Sequence, residues 1–436
     1  MKRLLPFLML CLFIPAAQAQ YQPGAGLNDD IDRLAAAVEA QVIAWRRDIH
    51  ANPELGNREF RTAALVADHL RSLDIEVRTE VAHTGVVGVL RGGKHGPVVA
   101  LRADMDGLPV TEQVDLPFAS KVRAEYNGQE VGVMHACGHD NHVAILMGVA
   151  QVLASMRDEL PGTVKFIFQP AEEGAPAGER GGAKLMLEEG AFDDPRPEVA
   201  FGLHVTPGWE AGQVAYRAGG TMASSDGLRI VVRGKQTHGA YPWLGTDPIV
   251  VASQIVMGLQ TISSRQLDAT LAPAIVTIGS IHGGVRGNII PDEVEMVGTI
   301  RALDTEMQDD IHRRVRLTAE RIAESGGATA EVSIGRGYPV TYNDPALTER
   351  MGATLRRVAG EGNVLEAPRQ MGAEDFSYFQ KEVPGLYYFL GIRTPGAPES
   401  DFAANHSPLF RVDEAALLTG VRTLAHLTVD YMQGGE

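Results

Sequence analysis

Apolar positions along the chain change period several times, and each change marks an element. Ile31, Leu34, Val38, Val42, Trp45 and Ile49 recur every three or four residues. That spacing predicts an amphipathic helix ending near Pro53, after a short flexible leader over 21–29. Short continuous apolar runs follow at Val98–Leu101, Val164–Phe168, Phe201–Leu203 and Leu386–Leu390. Between the first two, His142 to Ala154 places Val143, Leu146, Met147, Ala150 and Leu153 on one helical side. Uninterrupted apolar strands separated by helices predict an α/β domain whose mixed sheet is covered on both faces.

The stretch from 217 to 331 reads differently. Strands are expected at 228–232, 275–278, 293–301 and 328–334, with helices at 248–263 and 304–325. Four strands interleaved with two helices predict a smaller α+β unit inserted into the first domain. The organisation expected is a leader over 1–19, a catalytic domain in two parts over 28–216 and 332–436, and a satellite over 217–331.

The leader has its own pattern. Lys2 and Arg3 precede an apolar run from Leu4 to Ile14, and Ala17-Gln18-Ala19 follows. This is the layout of a secretory signal cleaved after Ala19, and the run is too short for a membrane anchor. The mature protein is therefore expected to be secreted or periplasmic and free of the membrane. Cleavage takes the net charge from −16 to −18 and leaves Cys137 as the sole cysteine. No basic patch of the kind that binds nucleic acid is present.

Polar clusters follow the predicted strands, at the sheet edge where α/β proteins bind ligands. Asp104 and Asp106 follow the first strand. Then come His135, Cys137, His139, Asp140 and His142 within eight residues. A thiolate and imidazoles at this density point to zinc or a neighbouring transition metal. Glu172 and Glu173 follow the strand at 164–168. Of two adjacent carboxylates, one can hold a metal while the other takes the proton from a water bound to it, as a hydrolase requires. His204 and His406 would complete five ligands with Cys137, His139 and Glu173, enough for two ions. Within the insert, His238 and Asn288 sit in glycine-containing loops that can present donors to a carbonyl or carboxylate.

Together these motifs resemble the metallopeptidase family of aminoacylases and glutamate carboxypeptidases, and most of all its amidohydrolase branch of hippurate, N-acyl-amino-acid and auxin-conjugate hydrolases. The resemblance spans nearly the whole mature chain. It begins at His50-Ala51-Asn52-Pro53-Glu54-Leu55-Gly56, with Glu59 following, and runs to Met371-Gly372-Ala373-Glu374-Asp375-Phe376 and His406. It implies a catalytic α/β domain with a satellite that commonly dimerises. It implies metal ligation by Cys137, His139, Glu173, His204 and His406, with Glu172 as general base and Asp106 supporting the metal site. It implies that His238 stabilises the oxyanion, often in the partner subunit's site, and that Asn288 meets the substrate carboxylate. Gly107 stands where alanine is more frequent, and Gly287 where an aromatic residue often precedes the counterpart of Asn288. Arg286 brings a cation near the expected carboxylate pocket, which suggests an anionic substrate.

The expectation is an exported amidohydrolase with two divalent ions. It would release a carboxylic acid and a free amino acid from N-acyl amino acids. Zinc is the generic choice, with manganese, cobalt or nickel open. Three alternatives stand beside it: a carboxypeptidase or dipeptidase on short peptides, a metal-containing periplasmic binding protein without turnover, and a Cys137 nucleophile.

Overall fold

The computed structural model describes residues 26–434. The expected leader and its cleavage site lie outside these residues. The first helix runs Leu27–Ala51, so residues 27–29, read from sequence as flexible leader, form its first turn. Leu27 packs against the core and Asp29 and Asp30 sit where the helix dipole favours acids, which is why the helix begins this early.

An eight-stranded sheet forms the larger layer. Its spatial order is Glu76–Val81, Gly85–Arg91, Pro161–Gln169, Lys94–Asp104, Val199–Glu210, Gly385–Arg393, Val214–Tyr216 and Val364–Glu366. The four central strands, Pro161–Gln169 to Gly385–Arg393, are mutually parallel, and antiparallel strands flank them. Their side chains alternate between two cores. Val99, Leu101, Val164, Phe166, Phe201 and Leu386 pack with helices Leu27–Ala51, His139–Ser155 and Ala416–Met432 on one face. Ala100, Ile167, Ala200 and Tyr387 pack with Phe376 and Phe379 on the other. Burial on both faces explains why these strands read as unbroken apolar runs.

A four-stranded antiparallel sheet, ordered Ala274–His282, Glu293–Ala302, Asp226–Arg233 and Thr329–Arg336, makes the second layer. Helices Pro248–Thr261 and Thr305–Ser325 cover one of its faces around Ile230, Met296, Ile255 and Ile311. A single turn of wider helix, Ile262–Gln266, continues the first of these beyond its α-helical end. Asp247 and Asp304 cap the two helices by accepting backbone N–H bonds from Ile249 and Met307.

Candidate metal and catalytic site

Each polar cluster leaves the large sheet at one edge. Strand Lys94–Asp104 ends on Asp104 and leads to Asp106. Strand Pro161–Gln169 leads into the turn bearing Glu172 and Glu173. His204 lies in strand Val199–Glu210, and His406 follows strand Gly385–Arg393. Helix His139–Ser155 begins at His139 itself, earlier than the periodicity predicts. Gly138 makes that start feasible. Its φ is +93°, and a Cβ there would lie 2.4 Å from the Val205 side chain. Only glycine fits, so Cys137 and His139 are set on either side of a bend that no other residue allows.

The donors converge. Cys137 Sγ lies 3.3 Å from His204 Nε2, and Glu173 Oε1 lies 3.0 Å from His406 Nε2. Ligand atoms of Cys137, His139 and His204 fall within 4.8 Å of one another, as do those of Cys137, Glu173 and His406, and of His139, Glu172 and Glu173. The surroundings aim them. Asp106 bonds His139 Nδ1 at 3.1 Å with one oxygen and accepts the Glu173 backbone N–H at 2.9 Å with the other. His204 donates its Nδ1–H to the Val205 carbonyl at 2.8 Å, which leaves the Nε2 lone pair facing Cys137. His406 adopts φ +70°, and its backbone N–H is held by the Ala136 carbonyl. A histidine in the left-handed region costs conformational energy that the surrounding bonds must offset.

These residues fit a pair of transition-metal ions. The deciding observation is His139 Nε2, which is buried, lies 3.7 Å from Asp104 Oδ2 and has no hydrogen-bond partner among the described residues. A buried ring nitrogen opposite a carboxylate-bonded one is the arrangement of a metal-ligating histidine. The charges agree. Burial, with the Glu173 and Glu172 carboxylates beside it, pushes the Cys137 thiol well up. Burial opposes a charge on His139, yet Asp104 and Asp106 push it up to about 10. Burial, with His142 beside it, holds His204 well below the usual imidazole range. A proton is thus competing for an anionic nest that a cation fills better. One thiolate, three imidazoles and a carboxylate suit zinc, manganese, cobalt or nickel.

Other polar groups are spent on support. His142 donates Nδ1–H to Asp104 at 2.5 Å and accepts the Val205 N–H on Nε2 at 2.9 Å, so it braces the strand carrying His204. Arg102 is buried among Asp104, Glu374 and Asp375, at 2.6, 2.9 and 2.9 Å, and also donates to Gln169. Those three acids share one guanidinium, whereas the Glu172 carboxylate receives only a long 3.4 Å bond from the Asp375 N–H. Burial and the charges of Glu374, Glu173 and Asp375 hold the Glu172 carboxyl well above its ordinary range. A raised carboxyl beside a metal nest is equipped to take and return a proton. Its turn is fixed from behind by Glu59, which accepts the Ala171 N–H at 2.8 Å and the Thr84 hydroxyl at 2.5 Å.

A cavity of about 410 Å³ opens over this nest. Cys137, Glu172, Glu173, His204 and His406 form its floor, and Trp209, Met222 and Phe389 an apolar side, Trp209 stacked on Phe389 at 5.7 Å. Ser225, Arg301 and Tyr338 are among its other lining residues. The Arg301 guanidinium makes no ion pair or hydrogen bond with any described residue, and the sequence reading did not single it out. The available signal was a cation at the end of a strand between Ile300 and Ala302, both buried. His238, Asn288 and Arg286 do not line this cavity. They are exposed on and beside a two-stranded ribbon, Thr237–His238 with Ile289–Ile290, where the Gly239 N–H bonds the Asn288 carbonyl.

Comparison with known proteins identifies the family. Residues 100–430 match the model of peptidase family M20/M25/M40. Thermostable carboxypeptidase 2 of Saccharolobus solfataricus is 42% identical over 396 residues, covering 90% of this chain and 96% of the relative. N-acetyl-L-cysteine deacetylase of Bacillus subtilis is 37% identical over 383 residues, covering 87% and 86%. The YXEP protein of Bacillus subtilis, described as a dinuclear metal binding peptidase from the M20 family, superposes with a TM-score of 0.77 at 35% identity, covering 91% of this chain and 99% of that one. The chain belongs to peptidase family M20/M25/M40 and is a metal-dependent hydrolase of C–N bonds.

Proposed function

We propose that this protein is an exported amidohydrolase that cleaves N-acyl amino acids to a carboxylic acid and a free amino acid. The observation that carries this reading is Arg301, a guanidinium without a partner among the described residues, in the wall of the cavity that the metal nest also lines. It suits the free carboxylate of an amino-acid product, and a cavity of about 410 Å³ suits a small conjugate better than a protein chain. In this reading Arg301 supplies, inside the cavity, the cation near the carboxylate pocket that the sequence suggested for Arg286. Cys137, His139, Glu173, His204 and His406 would hold two divalent ions. When bound, these supply Lewis acidity that acidifies water and polarises the amide carbonyl. Glu172 takes the proton from the attacking water at its carboxylate and returns it to the leaving nitrogen. Asp106 keeps His139 and Glu173 in register, and Arg301 fixes the substrate's carboxylate end.

Association through the satellite belongs to the same reading. Trp243, Met257 and Val285 are 74%, 70% and 96% exposed around the ribbon and helix Pro248–Thr261, and strand Ala274–His282 is a sheet edge. A homodimer would cover that apolar surface and bring His238 and Asn288 to the partner's cavity, where they could steady the oxyanion and the carboxylate. A second reading, cleavage of short peptides from the carboxyl end, is favoured by the same Arg301 and by the relative named a carboxypeptidase. Release of free amino acid from a panel of N-acyl amino acids and dipeptides, by metal-stripped protein reloaded with zinc, manganese, cobalt or nickel, separates the two. Faster release from N-acyl substrates supports the amidohydrolase, and faster release from dipeptides supports the peptidase. No release with any metal contradicts both.

A further inference from the structure

The turn that carries Glu172 is held from two directions. Glu59 holds the Ala171 N–H from within the large layer. The opposite hold comes from Tyr338, whose hydroxyl donates to the Glu172 backbone carbonyl at 2.5 Å. Tyr338 lies two residues beyond strand Thr329–Arg336, on the connection that leads out of the smaller sheet, and its side chain lines the catalytic cavity. Its own carbonyl accepts the Ser225 N–H at 2.9 Å, which ties the outgoing connection to the incoming one. The preceding residue, Gly337, is bonded on both sides. Its N–H reaches Asp226 Oδ1 at 3.3 Å, and its carbonyl accepts the Tyr378 hydroxyl at 2.9 Å. The other Asp226 oxygen accepts bonds from Gln308 at 2.8 Å and His312 at 2.7 Å, both on satellite helix Thr305–Ser325. A continuous set of bonds therefore runs from the satellite helix through Asp226, Gly337 and Tyr338 to the backbone of the residue read above as the general base.

We infer that Tyr338 is a positioning residue that couples the placement of the satellite layer to the catalytic turn, through its hydroxyl bond to the Glu172 carbonyl. This rests on the reading of Glu172 as the base. A side chain anchored on an interlayer connection and bonded to the backbone of a reacting residue makes that residue's placement depend on the angle between the layers. Closure over a substrate would then set Glu172, and opening would relax it.

The test is Tyr338→Phe, which removes only the hydroxyl, beside Tyr338→Ala and Tyr378→Phe. Tyr338→Phe is expected to lower kcat roughly tenfold to a hundredfold with KM within about twofold, since small misplacements of a reacting group act on the chemical step. Metal content is expected to stay at the wild-type value. Hydrogen exchange in the metal-free protein gives a readout independent of turnover: peptides spanning 170–175 exchange faster in Tyr338→Phe than in wild type. Tyr378→Phe, which loosens Gly337 without touching the turn, lowers kcat in the wild-type background and has little further effect in Tyr338→Phe. Wild-type kcat and exchange in Tyr338→Phe, with loss only in Tyr338→Ala, overturns the inference, because the ring alone then suffices. Additive losses from Tyr338→Phe and Tyr378→Phe overturn it too. A Glu172→Gln variant that retains full turnover removes the underlying reading instead, so the two failures are distinguishable.

Discussion

The C-terminal edge of the large sheet and the ribbon of the satellite both drew attention as carriers of chemistry, and they differ in how complete they are. At the sheet edge, residues from four separate strands and one helix start meet within a single chain, and a buried nitrogen of His139 has no hydrogen-bond partner among the described residues. On the ribbon, His238 and Asn288 are exposed. The difference teaches that this fold brings its metal-ligand residue types together within one chain but leaves His238 and Asn288, the ribbon residues proposed as donors, outside the cavity. Among the described residues, Arg301 is the one cation of the satellite layer that lines the cavity.

The comparison can be broken in several places, and the largest effect falls on the nest. Cys137→Ala and His139→Ala are expected to lose bound metal and at least about a thousandfold in turnover, because both are proposed ligands of the ions that would supply the Lewis acidity. Metal analysis alongside kinetics checks this. His238→Ala should keep its metal and still lose turnover by roughly a hundredfold, as expected of an oxyanion donor. Mixing His238→Ala with Glu172→Gln subunits sharpens the point. If His238 acts in the partner's site, mixed dimers regain activity that neither parent has, whereas a donor acting within its own chain gives no recovery.

Smaller effects separate the two arginines. Arg301→Ala should raise KM about tenfold to a hundredfold for substrates with a free carboxylate, in line with about 1.5–3 kcal/mol for a charge-assisted bond. The penalty should be far smaller for the matching amides. Arg286→Ala should stay within about twofold on both, and equal effects from the two arginines would erase the distinction between cavity and ribbon. The smallest effect concerns stability. Burial opposes the charge on Asp226, but its bonds from His312 and Gln308 hold the carboxyl below its ordinary value. A folded-state value below the unfolded one stabilises above about pH 4 and loses that stabilisation as pH falls. The melting temperature should therefore drop on acidification below that point, and less steeply in Asp226→Asn.

Much of this was legible in the sequence for a definite reason. The strands at Val98–Leu101, Val164–Phe168 and Leu386–Leu390 are buried on both faces, so their apolar runs stand out. The polar clusters stand out because they interrupt such runs at strand ends. Helices Phe60–Ser72, Pro345–Ala359 and Ala416–Met432, and the antiparallel edge Glu76–Arg91, fell outside the predicted elements. The edge strand Glu76–Val81 is largely exposed and carries no apolar run. Arg301 and Tyr338 escaped notice because neither belongs to a cluster. Each is an isolated polar side chain whose meaning depends on which layer it faces. His142 illustrates the reverse case. It sits among metal-ligand residue types, yet both its nitrogens are occupied by Asp104 and Val205.

The central claim is that ligation and proton transfer are divided between the adjacent residues Glu173 and Glu172. The most direct measurement is the metal content of Glu172→Gln, taken together with its turnover on the best substrate of the panel. The account predicts two divalent ions per chain, as in wild type, with turnover reduced by at least about a thousandfold. Loss of an ion from the variant, or retention of wild-type turnover, would contradict it.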